Sequence, residues 1–213
     1  MPARLQLTLA AVLALVALAL GGVLLLGRGG EPTTPQAFTV GPSGFAGAQS
    51  PPDALAPDFR LRDQDGRPAT LAAERGKVTV LTFLYTTCED TCPIAASQIL
   101  GALEELGADG ADVPALAVSV DPANDTAARA RKFLLARRLT GRMRFALGSE
   151  AQLRPLWRSY GVRPQGPDPD AEGFEHSARV VLVDKRGRQR VAFPLDQLTP
   201  DALAHDIRVL QAE

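Results

Sequence analysis

The sequence predicts an α/β domain: a mixed β-sheet flanked by helices. Three observations lead there. Val78 to Tyr85 and Ala115 to Val120 are nearly all apolar and β-prone, as strands buried on both faces are. Stretches of helical spacing follow each of them, and helical crossovers imply parallel strands. Alternating segments broken by turn residues open and close the array, which adds antiparallel strands to the parallel ones.

In chain order, Leu5 to Gly27 contains no charged residue and is dominated by Leu, Ala and Val. About 20 such residues span a bilayer core, whereas the apolar region of a signal peptide usually runs about 7–15. The length favours an uncleaved N-terminal transmembrane helix, residues 1–28, over a signal sequence cut after Ala17-Leu18-Ala19. No Cys follows the run, so a lipoprotein anchor is excluded. Arg4 lies on one side, and Arg28, offset by Glu31, on the other. The positive-inside tendency then leaves the globular part on the extracytoplasmic face of the cell membrane. Residues 29–52 are rich in Gly, Pro, Ser, Thr and Ala without periodicity, and read as a flexible tether.

The folded domain is expected over residues 53–213. Asp58 to Arg62 alternates polar and apolar, Asp65-Gly66 signals a turn, and Ala69 to Leu71 reads as the return strand. After the buried strand ending at Tyr85, Ile94, Ile99, Leu100, Leu103 and Leu106 fall on one helical face. The second buried strand, Ala115 to Val120, leads to a helix over Ala127 to Leu139, a short strand over Arg144 to Leu147, and a helix over Glu150 to Tyr160. Arg179 to Val183 and Arg190 to Phe193, joined by Lys185-Arg186-Gly187-Arg188, form a second hairpin. Pro200 to Leu210 closes the chain as an amphipathic helix.

The chain has 46% hydrophobic residues, enough for a sizeable core, and a formal net charge of -1. That charge gives no reason to expect a nucleic acid partner. Its two cysteines make neither a disulfide framework nor a four-cysteine zinc site. Both stand in Leu81-Thr82-Phe83-Leu84-Tyr85-Thr86-Thr87-Cys88-Glu89-Asp90-Thr91-Cys92-Pro93, which runs from a strand through a polar turn to the start of a helix. If Cys88 and Cys92 share one helical turn, both sulfurs lie on one face, about 6 Å apart along the axis. Pro93 fits the first turn, where its missing N–H costs nothing. The positive end of the helix favours thiolate over thiol. Such a pair can close a disulfide or chelate a soft metal such as Cu(I).

A cysteine pair leaving a central strand at a helix start suggests the thioredoxin-like architecture. There, the loop before the antiparallel strand faces the cysteine turn. Redox thioredoxins usually place a cis-proline in it; here no Pro occurs between Asp170 and Val183, and His176 stands in Glu175-His176-Ser177. An imidazole meeting two thiolates makes a three-coordinate site suited to copper. An ordinary exposed loop histidine is the competing reading. His205, beside Asp206, reads as a solvated helix-face residue, Asp125 as the cap of the helix after it, and Trp157 and Tyr160 as core.

Several further segments carry a resemblance over roughly Ala56 to Leu210. Ala56-Pro57-Asp58-Phe59, Asp63-Gln64-Asp65-Gly66 and Gly76-Lys77 precede the Tyr85-Thr86-Thr87-Cys88 to Cys92-Pro93 signature. Val118-Ser119-Val120-Asp121-Pro122-Ala123-Asn124-Asp125-Thr126, Tyr160-Gly161-Val162, His176-Ser177 and Leu182-Val183-Asp184-Lys185-Arg186-Gly187 follow in order. The domain resembles the Sco/SenC family, membrane-anchored thioredoxin-like proteins of cytochrome c oxidase assembly. Glu89 departs from the family's usual Pro, which puts a carboxylate beside Cys88.

The resemblance implies copper, as Cu(I) or Cu(II), bound by Cys88, Cys92 and His176. It implies delivery to the binuclear copper site of cytochrome c oxidase subunit II, with an extracytoplasmic copper donor and a thiol reductant as further partners. The alternative is a thiol–disulfide oxidoreductase, with Cys88 and Cys92 as a catalytic redox pair and no delivery role. A docking or indirect role at the copper end is implied for Asp121 and Asp125. A peroxide-reducing relative is disfavoured, because its Thr three residues before the reactive Cys falls at Tyr85. An adaptor with a merely structural disulfide would keep full activity in a Cys88→Ser/Cys92→Ser double variant.

Overall fold

The computed structural model describes residues 38–164 and 179–213, and before them only Val16. Eight strands are described: β1 (Ala48–Gln49), β2 (Leu61–Arg62), β3 (Pro68–Ala69), β4 (Thr79–Leu84), β5 (Ala115–Ser119), β6 (Met143–Ala146), β7 (Arg179–Val183) and β8 (Gln189–Pro194). The α-helices described from Phe38 onward are α1 (Thr91–Glu105), α2 (Ala127–Ala136), α3 (Glu150–Tyr160) and α4 (Pro200–Ala212). The main sheet has the order β1-β8-β7-β4-β5-β6. Strands β4, β5 and β6 are parallel, and β7, β8 and β1 add antiparallel partners. The expected mixed sheet is what forms, with β4 at its centre.

Every residue of β4 and of β5 is buried, which explains their unbroken apolar character. Alternate residues serve opposite cores. Val80, Leu84, Ala117, Val180, Leu182 and Phe193 pack with the helices α1, α2 and α4. Leu81, Phe83, Leu116, Val118, Val181 and Val183 pack with α3 and with Phe59, Leu61 and Leu71. A Cβ on Gly101, in mid-α1, would stand 2.9 Å from Pro200 Cγ, so this glycine lets the start of α4 approach. Gly161 in the left-handed conformation (φ 62°) ends α3.

The entry hairpin is shorter than its alternation suggests. Only Leu61–Arg62 and Pro68–Ala69 pair, in a separate two-stranded sheet. Side chains attach it to the main sheet: Arg144 of β6 donates to Asp63 at 3.0 Å and to Glu74 at 3.1 Å, and Gln64 Oε1 accepts the Phe145 amide at 2.8 Å. Burial opposes charge on Asp63, but the Arg67 and Asp65 amides and the Arg144 guanidinium outweigh it and hold the carboxyl below its ordinary value.

The expected tether ending at Pro52 needs correction. The compact unit begins at Phe38, and Ala48–Gln49 pairs with Ala192 and Val191 at the sheet edge. Asp206 of α4, fully buried, accepts the amides of Ala46 and Gly47 at 2.8 and 2.9 Å. A Cβ on Gly47 would stand 2.5 Å from Val191 Cγ1, so only glycine lets this segment lie flat on β8. The physical reason is non-local pairing, which a composition of Gly, Pro and Ser does not reveal. Residues 29–37 fall outside the described residues. So does the span expected over Leu5 to Gly27, but for Val16; among the described residues no helix is long and apolar enough to cross a membrane.

Candidate metal centre

Strand β4 delivers the chain to the end of the sheet at Leu84. It turns over Tyr85–Cys88, the Cys88 amide donating to the Tyr85 carbonyl at 3.4 Å. Helix α1 then starts at Thr91, two residues before Pro93, and the preceding Asp90 supplies no capping side chain. The Cys92 amide, one of the donors that a helix start leaves unpaired, instead meets Cys88 Sγ at 3.2 Å. The sulfur takes the place of a capping oxygen.

This corrects the idea that both cysteines share a helical turn. Cys88 lies in the turn before α1, and only Cys92 is helical. The two side chains nevertheless meet, through a hydrogen bond between them. Both are free thiols, 7% and 2% exposed.

Their environments pull them apart chemically. Burial alone would raise the Cys88 thiol. Hydrogen bonds from the Cys92 thiol, the Thr91 hydroxyl, the Cys92 amide and the Tyr85 hydroxyl outweigh burial and bring it down from 9.0 to about 7. Thr91 Oγ1 stands 3.5 Å from the sulfur. Burial pushes the Cys92 thiol well up, and the Cys88 sulfur beside it pushes further. Burial and Cys88 likewise raise the Tyr85 phenol, so Tyr85 stays a hydrogen-bond donor. At neutral pH the pair therefore holds two buried sulfurs of different character, Cys88 thiolate-prone and Cys92 protonated.

A pH profile follows. Thiolate is the nucleophile, so alkylation of reduced Cys88 by iodoacetamide should rise tenfold per pH unit below its pKa and level off above it. Its half-maximum is expected near pH 7. Peptide mass spectrometry should find Cys92 unmodified over the same range. A Cys88 midpoint at 9.0 or above would contradict the hydrogen-bond set described for its sulfur.

His176 lies outside the described residues. The described residues take up again at Arg179, which opens β7 beside β4, with Val180 opposite Thr82. Arg179 Nη1 donates to the Tyr160 carbonyl at 3.1 Å, tying the start of β7 to the end of α3. Among the described residues no group of three His, Cys, Asp or Glu side chains could hold a metal ion. His205 is only half-solvated: its Nδ1 stands 2.9 Å from Asp206 Oδ1 and its ring packs on Phe38.

The two aspartates sit at the same end of the sheet as the cysteine turn, since the Val120 amide donates to the Leu84 carbonyl. Asp121, buried, accepts from Asn124 Nδ2 at 2.9 Å. Asp125 does not cap α2; Thr126 does, accepting the Arg129 amide at 3.2 Å. Asp125 reaches back to Thr86 instead. Trp157, read as core, also donates Nε1 to the Ser119 carbonyl at 2.9 Å. Sequence reasoning did not single out Thr86, Ser119 or the Tyr85 hydroxyl for a role. No local pattern links Thr86 to Asp125, 39 residues further along the chain.

The SCO1/SenC family model matches residues 47–212. The chain belongs to the SCO1/SenC family. The match starts inside the stretch expected as tether, in keeping with β1. A copper-bound ScoI structure from Bradyrhizobium japonicum is 31% identical and superposes with a TM-score of 0.63, covering 74% of this chain and 99% of that one. The apo Sco1 solution structure from Thermus thermophilus is 27% identical with a TM-score of 0.64, covering 78% and 96%. A SCO2-like protein of Rickettsia conorii is 26% identical over 143 residues, 65% of this chain and 69% of that protein. The thioredoxin-like sheet and helices are those of the Sco fold.

Proposed function

We propose that this SCO1/SenC protein carries copper as its cargo, held by Cys88, Cys92 and His176, and passes it to the binuclear copper site of cytochrome c oxidase subunit II. The observation that carries the reading is the pair of adjoining sulfurs at the end of β4, one of them already thiolate-prone near neutral pH. Soft thiolates suit Cu(I), and an added imidazole suits either oxidation state. The copper-bound structures of Sco relatives from Bradyrhizobium japonicum and Arabidopsis thaliana support copper as the metal. His176 stands three residues before Arg179, and β7 begins at the end of the sheet where β4 presents the cysteines. Family membership supports the oxidase as partner. Loading releases protons, chiefly from Cys92, because a ligating thiol must ionise.

The asymmetry of the two thiols also favours thiol–disulfide exchange at the same site. Cys88 thiolate would attack a substrate disulfide, forming a mixed disulfide and releasing one substrate thiolate. Cys92, on losing its proton, would attack Cys88 Sγ, closing the Cys88–Cys92 bond and releasing the second. Two electrons pass from the pair to the substrate, which leaves as a dithiol able to bind copper. An extracytoplasmic reductant must then reopen the pair, and a copper donor must reload it.

The reading is tested by titrating the reduced full-length protein with Cu(I) and Cu(II) under nitrogen, beside His176→Ala. One copper per chain is expected. His176→Ala should weaken retention by more than the roughly 10–100-fold that loss of an outer-shell partner costs, while dithiol exchange largely survives. Unchanged retention in His176→Ala would remove the imidazole from the site. We place the domain on the extracytoplasmic face, anchored by Leu5 to Gly27, because that uncharged run is long enough to span. Recovery in the soluble fraction, with the N-terminal segment missing by mass spectrometry, would overturn the anchor.

A further inference from the structure

Asp125 is 7% exposed and lies in the loop between β5 and α2. Its Oδ1 accepts the Thr86 amide at 2.7 Å and the Thr86 hydroxyl at 2.7 Å; its Oδ2 accepts the Ser119 hydroxyl at 2.6 Å. A buried carboxylate is costly unless such bonds compensate it. The Ser119 bond closes the loop after β5, but neither Thr86 bond serves the local chain, since Thr126 caps the helix. Thr86 is instead the second residue of the turn whose last residue is Cys88. Ser119, the other anchor, is itself held: its carbonyl accepts from Trp157 and its Oγ from the Asp121 amide at 3.3 Å.

We propose that Asp125 is a positioning residue for Cys88, clamping Thr86 to the end of β5 so that the turn presents the sulfur at the first amides of α1. Cys88 is thereby fixed from two sides, its backbone by the Asp125–Thr86 clamp and its sulfur by the Cys92 amide. Buried hydrogen-bonded groups behind a ligand set how well it is oriented, which is why outer-shell changes alter metal affinity. The functional consequence rests on the copper reading above; the geometry does not.

The test compares the full-length protein with Asp125→Asn, Thr86→Val and the double variant. Three quantities are measured: Cu(I) affinity against a chromophoric chelator, the exchange constant of the cysteine pair with glutathione, and melting temperature. Asp125→Asn keeps shape but must turn its single NH₂ toward one of the two sets of donors, Thr86 or Ser119. It is expected to weaken Cu(I) binding about tenfold. It should also move the exchange constant about tenfold toward the disulfide, about 30 mV, because the reduced, ordered turn is what the clamp favours. Thr86→Val should act in the same direction, and the double variant should lose less than the sum of the singles, as residues in one network do. A merely structural Asp125 would lower the melting temperature and leave both constants within twofold, which overturns the proposal; so does strict additivity. If Asp125→Asn fails to fold, Thr86→Val decides, and no change in its constants counts against the clamp. If the unmodified protein binds no Cu(I), the copper reading fails, and the clamp stands or falls on the exchange constant alone.

Discussion

Cys88→Ser is expected to abolish useful Cu(I) retention while leaving the fold intact. The serine hydroxyl can still accept the Cys92 amide that Cys88 Sγ now accepts at 3.2 Å, and serine is a favoured residue at helix starts. What it cannot supply is a soft anionic ligand, because its hydroxyl does not ionise near neutral pH. The loss should therefore exceed the roughly 10–100-fold of an outer-shell change, with the melting temperature little altered. Chelator competition under nitrogen, paired with thermal unfolding of the full-length protein, measures both. A Cys88→Ser protein that held Cu(I) nearly as well as the unmodified chain would move the metal elsewhere and end the reading given for this turn.

Asp206→Ala is expected to have the largest effect on stability. Asp206 is fully buried, and its two oxygens accept the Ala46 and Gly47 amides, with His205 Nδ1 also beside Oδ1. Alanine leaves those donors without an acceptor on the sheet edge. A buried unsatisfied group costs about 1–3 kcal/mol; the Gly47 contact is buried and the Ala46 contact part-buried, so the expected loss is about 2 kcal/mol or more. Urea denaturation should show a lower midpoint, and limited proteolysis should cut more readily within Phe38 to Gln49 than elsewhere. An unchanged midpoint would mean that the segment is not held by this carboxylate.

The segment around Asp206 also shows where sequence reading stops. Gly47 and its neighbours look like linker, because Gly, Pro and Ser carry no periodicity. Their order comes from β8, more than 140 residues away, through pairing of Ala48 with Ala192 and through one aspartate on the last helix. Asp206 itself gave no sign of this: an acidic residue beside His205 on an amphipathic helix is ordinary surface composition. Asp125 departs from its expected capping role for a related reason. An aspartate just before a helix is a good cap in isolation, but Thr126 one residue later fills that role, and the buried donors of Thr86 and Ser119 claim the carboxylate. The helix over Glu150–Tyr160 and the strand over Arg179–Val183 were legible to the residue, because local periodicity and flanking turn residues bound them.

The class of fold, the place of the two cysteines at a strand-to-helix turn, and the family are legible along the chain, since these rest on local periodicity and on motifs. Packing in three dimensions sets the rest: Cys88 stands outside α1 and caps it with sulfur, its proton is the looser of the two, and Asp125 and Asp206 hold Thr86 and the Ala46–Gly47 segment, far from them in sequence. The reason is physical: hydrogen bonds, desolvation and charge act through space, over a few ångströms, between groups whose order in the chain does not record their proximity.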